Sequence, residues 1–302
     1  MKDYLVTTKD LKAIEEGIGY VWNQKLDFVF GDKQKVKNVV VISYDSNFLY
    51  IYKYKDNPVN IINATRLTTA LESYDLFKVP HKIKIDKNDL LGWVAGFLLN
   101  DRLSSDKIFS FPNEGDKIYF QIISGSLVSK FLIEQKKKTK HMPLNPYTTF
   151  ESYLATIVHE FGHAYYNNFH TWWYSNITEN LEYLNCALEL YKNKKINNLP
   201  KINIPNYDKR LILLSELFAF CTDYSAALIF WKEHIKDIDR ANILELKNLI
   251  KVEKKKDLLK ENSVLDPDPS GHIVAMTIGK VLIDQFPKSW PGKILRANKL
   301  IL

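Results

Sequence analysis

The five residues His159–His163 constrain this chain more strongly than any other stretch of it. They form the pattern HExxH, and a capping box at Thr148–Glu151 predicts that a helix begins shortly before them. Residues that are four apart in a helix lie on the same face, so both imidazoles can reach one metal ion. We therefore expect this segment to fold as a helix and to carry a metal site.

The residues around the motif favour a metal-binding site over a chance occurrence of the HExxH pattern. Apolar residues recur at helical spacing and form one stripe, made of Phe150, Tyr153, Leu154, Ile157, Val158, Phe161 and Tyr165. The two histidines fall nearly opposite this stripe, among small residues such as Ala155 and Gly162 that leave room for a cleft. The alternative is an ordinary surface helix with two chance histidines. If the metal is present, Glu160 is placed to accept a proton from a metal-bound water, as in zinc peptidases.

The composition is that of a globular protein, with 302 residues, 46% of them hydrophobic and 25% charged. The two cysteines, Cys186 and Cys221, lie in apolar stretches, which favours buried thiols in a reducing, cytoplasmic setting. The N-terminus has no apolar core of signal-peptide length. The most hydrophobic run, 211–231, contains two acidic residues, so we expect a buried helix and no membrane span. Lysine clusters at 136–140 and 254–256 accompany a net charge of +7 and are interpreted as solvated faces, with nucleic-acid contact as the alternative.

The order of helix and strand signals predicts an α+β chain in two parts. Residues 1–140 form an N-terminal part of mixed strands and helices, and residues 141–302 form a mainly helical, zinc-binding catalytic part. The predicted helices of the first part are Lys9–Trp22, Arg66–Phe77 and Asn88–Leu99, and its predicted strands are Val39–Ser43, Phe48–Tyr54, a short strand near Ile83, and Ile118–Ile123. In the second part, breaks between helices are expected near 197–205, 266–271 and 287–291. The strand Ile118–Ile123 is a candidate edge that could pair with an extended substrate.

A catalytic zinc usually takes three protein ligands, and several residues are candidates for the third. His170 shares the ligand face but lies about 10.5 Å along the helix from His163, too far to share the ion unless the helix breaks. Glu182 belongs to a plain charged face. Glu216 lies in the most apolar helix, where a carboxylate needs a cation or donor partner. Glu216 is therefore the preferred third ligand, and Glu182 is the alternative.

With these residues in place, the chain resembles the gluzincin group of zinc metallopeptidases. The resemblance rests on HExxH at 159–163 and on the tetrad ExFA at 216–219, and it covers roughly residues 148–230. It implies that His159, His163 and Glu216 bind one zinc ion per chain and that Glu160 is the general base and acid. The 52 residues between His163 and Glu216 exceed the separation in thermolysin-like and aminopeptidase-like members.

Such a site needs two further kinds of side chain, one that orients a metal ligand and one that stabilises the oxyanion. Thermolysin-like enzymes carry an acid one turn after the metal glutamate, where this chain has Phe220, and Asp223 is a stand-in for it. A second electrophile is needed beside the zinc to stabilise the developing oxyanion. His272, before a helix rich in small residues, is the candidate for that role, with Tyr224, Tyr165 and Tyr166 as weaker ones.

The function expected from all of this is a zinc-dependent peptidase that acts on a peptide or protein substrate. Two alternatives are kept. One is a non-catalytic, zinc-stabilised binding protein, and the other is a metalloprotease that acts near nucleic acid.

Overall fold

The computed structural model describes residues 5–45, 47–81, 108–110, 119–123, 150–166, 192–193, 207–232, 247 and 269–299. The chain divides into two compact units, which are residues 1–22 with 32–165, and residues 23–31 with 166–302. The described residues combine strands and helices. The boundary predicted at residue 140 lies outside the described residues and stays a prediction. So do the predicted elements at Ile83 and Asn88–Leu99, the break at 197–205, and both lysine clusters.

The first unit opens with helix α1, Thr8–Val21. A capping box fixes its start, because the Thr7 hydroxyl accepts a hydrogen bond from the Asp10 N–H and the Asp10 carboxylate accepts one from the Thr7 N–H. The buried face consists of Ala13, Ile14, Gly17, Ile18 and Val21, at the spacing of an amphipathic helix. The helix predicted at Lys9–Trp22 is thus confirmed. A short helix, α2, follows at Lys33–Lys37.

A five-stranded sheet forms the centre of the first unit. Its strands are β1 Val39–Tyr44, β2 Phe48–Tyr54, β4 Thr65–Leu67, β5 Tyr74–Pro80 and β7 Tyr119–Ile123, in the order β4-β5-β2-β1-β7. Strand β7 runs parallel to β1, and the other pairs are antiparallel. A second, two-stranded sheet pairs β3, Asn60–Ile61, with β6, Phe109–Ser110.

The predicted strands Val39–Ser43, Phe48–Tyr54 and Ile118–Ile123 are confirmed, within one residue at each end. Asp45 stabilises the turn between β1 and β2, because its side chain accepts hydrogen bonds from the N–H groups of Asn47 and Phe48, at 2.8 Å each. Every residue of β1 is buried, as expected of a strand that has neighbours on both sides. Strand β7 is the last strand of its sheet among the described residues, the position that the edge-strand hypothesis requires.

The helix predicted at Arg66–Phe77 is wrong, because this segment forms parts of strands β4 and β5. Leu67 pairs with Leu76 and Arg66 with Phe77 across the turn that joins these strands. Tyr74 and Leu76 are buried, whereas Asp75 between them is partly exposed, which is the period of a strand. Full-length pairing of β5 with β2 satisfies the backbone of this segment and overrides its helical propensity.

The second unit consists, in its described part, of a 3-10 turn at Gln24–Leu26 and three helices. The helices are α4 Tyr207–Phe230, α5 Pro269–Gln285 and α6 Trp290–Lys299. The break predicted near 287–291 agrees with the gap between α5 and α6. Of the break predicted near 266–271, residues 269–271 belong to α5, and residues 266–268 lie outside the described residues. Trp290 is fully buried, contacts the ring of Phe218 at 5.2 Å, and donates its indole N–H to the Ser225 hydroxyl at 3.1 Å.

Two expectations drawn from composition concern α4. Among the helices that the structure describes, none combines the length and the apolar character that crossing a membrane requires. Cys221 is a free thiol with no exposed surface, and burial raises its pKa. Cys186 lies outside the described residues.

Candidate metal centre

The HExxH motif lies in helix α3, Phe150–Tyr166, as the sequence predicts. The apolar stripe is buried at Leu154, Ile157, Val158 and Phe161, each at most 1% exposed. The opposite face is buried as well, because His159 is only 4% exposed and His163 only 5%. The two histidines therefore do not lie on a surface helix, as the alternative had it.

The two imidazoles stand close together on one side of α3. Their Nε2 atoms are 3.2 Å apart, and the rings meet edge to face with centroids 4.8 Å apart. Two nitrogens that each lie 2.0–2.1 Å from a tetrahedral zinc are about 3.3 Å apart. The spacing of the two nitrogens thus fits two ligands of one ion. It equally fits one imidazole N–H donating to the other ring, according to the tautomers.

Glu216 completes the group. It lies in α4 and is 4% exposed, and one ligand atom from each of His159, His163 and Glu216 falls within 4.8 Å of the others. The donor set, two imidazole nitrogens and a carboxylate oxygen, is one that catalytic zinc sites use, with a fourth position left for water or substrate. Glu182 and His170, the other ligand candidates, lie outside the described residues.

The local packing explains why a carboxylate at position 216 is held inside the protein. Ser215, Leu217 and Phe218 beside it are all at most 3% exposed. The Phe218 ring stacks on the Tyr166 ring at 5.1 Å and meets Trp290 on another side, so this turn of α4 is held firmly. Burying an ionised carboxylate costs several kcal/mol unless cations or donors compensate it. A cation shared with the two imidazoles is one way to supply that compensation, and the donor atoms of the three residues lie close enough for it.

Glu160 follows His159 directly in α3 and is 7% exposed. At 100° per residue it lies about 60° around the helix from His163, beside the ligand face and not on it. A carboxylate at this position can take and return a proton beside the metal ligands without being a ligand itself.

Three residues were expected to support the site from the later helices, and the structure describes the side chains of two of them. His272 is the fourth residue of α5, but its side chain lies outside the described residues. Asp223 is half-buried and stands two helical turns, about 10.5 Å, beyond Glu216. The Tyr224 hydroxyl accepts a hydrogen bond from the Lys280 ammonium at 3.1 Å.

Tyr165 and Tyr166 follow the motif at the end of α3. The Tyr165 hydroxyl accepts a hydrogen bond from the Asp32 N–H at 3.1 Å, a contact that no pattern in the sequence indicated. Burial raises the pKa of both hydroxyls, so both tyrosines stay protonated at neutral pH.

Comparisons of the chain with models of protein families, with curated proteins and with solved structures gave no significant match. The function must therefore be inferred from the residues of the site.

Proposed function

We propose that this protein is a zinc-dependent peptidase that hydrolyses peptide bonds with water. The observation that carries the proposal is the buried group of His159, His163 and Glu216, whose ligand atoms fall within 4.8 Å of one another. Glu160, also buried, directly follows His159 in the sequence. A zinc ion held by such a set supplies a Lewis acid that acidifies water and polarises a carbonyl group.

Each residue of the site has a separate role in the proposed reaction. His159, His163 and Glu216 would hold the ion, and Glu160 would take a proton from the attacking water and deliver it to the leaving amine. Glu160 suits both steps because it is fixed in the same helix as two ligands and is largely shielded from bulk water. His272 is proposed to stabilise the oxyanion of the tetrahedral intermediate.

The test is a search for cleavage in a mixed peptide library, read by mass spectrometry. The purified protein should generate new peptide termini, EDTA should abolish them, and added zinc should restore them. The Glu160→Gln variant should be inactive while retaining its metal. Glu151→Gln is the matched control, because Glu151 lies in the same helix, is partly exposed and precedes the motif by two turns.

One observation favours a second candidate, a zinc-stabilised binding protein without catalysis. All four residues of the site are at most 7% exposed, and a peptide needs access to the metal and to Glu160. Bound zinc, together with no cleavage of any library peptide by the wild-type protein, would select this candidate.

A further inference from the structure

Helix α3 approaches α1 more closely than side chains normally permit. A Cβ atom placed on Gly17 would lie 2.5 Å from the Cγ2 atom of Ile157 and 2.8 Å from its Cβ atom. Gly17 is buried and Ile157 has no exposed surface, so this contact lies inside the first unit. Ile157 precedes the first histidine of the motif by only two residues.

The contact has little room to adjust. The crowded atoms of Ile157 are its Cβ and the γ-carbon attached to it, which move only with the backbone or by a change of χ1 that a β-branched side chain resists. A methyl group on Gly17 would have to move from 2.5 Å to the 3.4 Å at which ordinary van der Waals contact begins. One of the two helices, α1 or α3, must therefore move relative to the other.

A displacement of that size matters for a metal site. Ligand distances in such sites hold to within about 0.2 Å, and catalytic geometries tolerate errors of about 0.5 Å. His159 lies half a turn beyond Ile157, and His163 one turn further, so a shift at Ile157 carries both imidazoles with it.

We infer that Gly17 is a positioning residue of the metal centre, which lets α3 lie where both histidines can share one ion with Glu216. The inference rests on the proposed zinc site. A glycine inside a helix is less favourable than alanine, and the close approach to Ile157 accounts for its presence at position 17. Gly19 shows the contrast, because a Cβ on it would meet nothing within 4 Å.

The two glycines form a matched pair for the experiment. Zinc affinity of the full chain is measured by competition with a chromophoric chelator, and the visible absorption of the cobalt-substituted protein reports ligand geometry. Gly17→Ala should weaken zinc binding about 10- to 100-fold, the range seen when a residue that orients ligands is changed. Its cobalt spectrum should change as well. Gly19→Ala should keep the affinity and spectrum of the wild type.

Rescue separates positioning from a general loss of folding. Ile157→Ala removes the nearest γ-carbon but keeps the Cβ atom at 2.8 Å. The double variant with Gly17→Ala should therefore bind zinc more tightly than Gly17→Ala alone, and its cobalt spectrum should return part of the way to that of the wild type. Gly17→Ala with wild-type affinity and spectrum would overturn the inference, as would a double variant with no recovery. If the wild-type protein bound no zinc, the proposed function itself would fail, which is a different result.

Discussion

Replacing Glu216 tests the proposed ligand set, and the expected loss of zinc affinity and of stability can be estimated in advance. Its carboxylate is one of three donor groups within 4.8 Å and is only 4% exposed, so Glu216→Ala removes a donor without opening a large solvent path. Changes to residues that merely orient ligands cost 10- to 100-fold in metal affinity, so loss of a ligand should cost about 100-fold or more.

This loss of affinity converts into a difference in stability. At free zinc about 100 times the wild-type Kd, binding stabilises the folded wild-type protein by about 2.7 kcal/mol. The same zinc concentration stabilises a variant that binds 100-fold more weakly by about 0.4 kcal/mol. The zinc-induced gain should therefore differ by about 2.3 kcal/mol, which is about 0.8 M in the urea midpoint if m is about 3 kcal/mol/M, as for a large chain.

The assay is urea unfolding with and without zinc, followed by circular dichroism, on the wild type, Glu216→Ala and Glu182→Ala. Comparing the zinc-induced gain within each protein separates metal binding from any effect of the substitution on the fold. Glu182→Ala should keep the full gain. An equal gain in wild type and Glu216→Ala would refute the ligand assignment, and loss of the gain in Glu182→Ala alone would transfer the third ligand to Glu182.

Three further predictions concern catalysis and packing. Glu160→Gln should retain about one zinc per chain and lose hydrolysis, and full peptidase activity in this variant would contradict the mechanism. His272→Ala should lower kcat by about 10²–10³ with little change in KM or zinc content, and near-wild-type turnover would move the oxyanion role toward Tyr224. Phe218→Ala should lower the free energy of unfolding by about 3–5 kcal/mol in urea titrations, because Phe218 is fully buried against two rings. The half-buried Phe220, replaced in the same way, should cost less, and an equal loss would contradict the packing described for Phe218.

The sequence predicted those elements whose pattern is local. Helix α1, the short apolar runs of β1 and β2 and the apolar stripe of α3 each contain their own signal within one stretch of the chain. Glu216 was identified in a similar way, because a charge inside an apolar helix needs a partner wherever it lies. Its burial at 4% agrees with that argument.

Features that depend on partners distant in sequence could not be predicted. A helix was predicted at Arg66–Phe77, and only the pairing of this segment with β2 and with itself makes it parts of two strands. The small residues beside the histidines indicated an open cleft, whereas the histidines are buried in the structure. Gly17 gave no functional signal in the sequence, because its role depends on the close approach of Ile157 from a helix far along the chain.

Elemental analysis of the purified protein, beside His159→Ala prepared in the same way, tests the central claim most directly. His159 is buried and its Nε2 atom lies 3.2 Å from that of His163, so its loss removes half of the imidazole pair. The account predicts about one zinc per chain in the wild type and a small fraction of that in the variant. Absence of metal from the wild type, or an equal zinc content in both proteins, would contradict it.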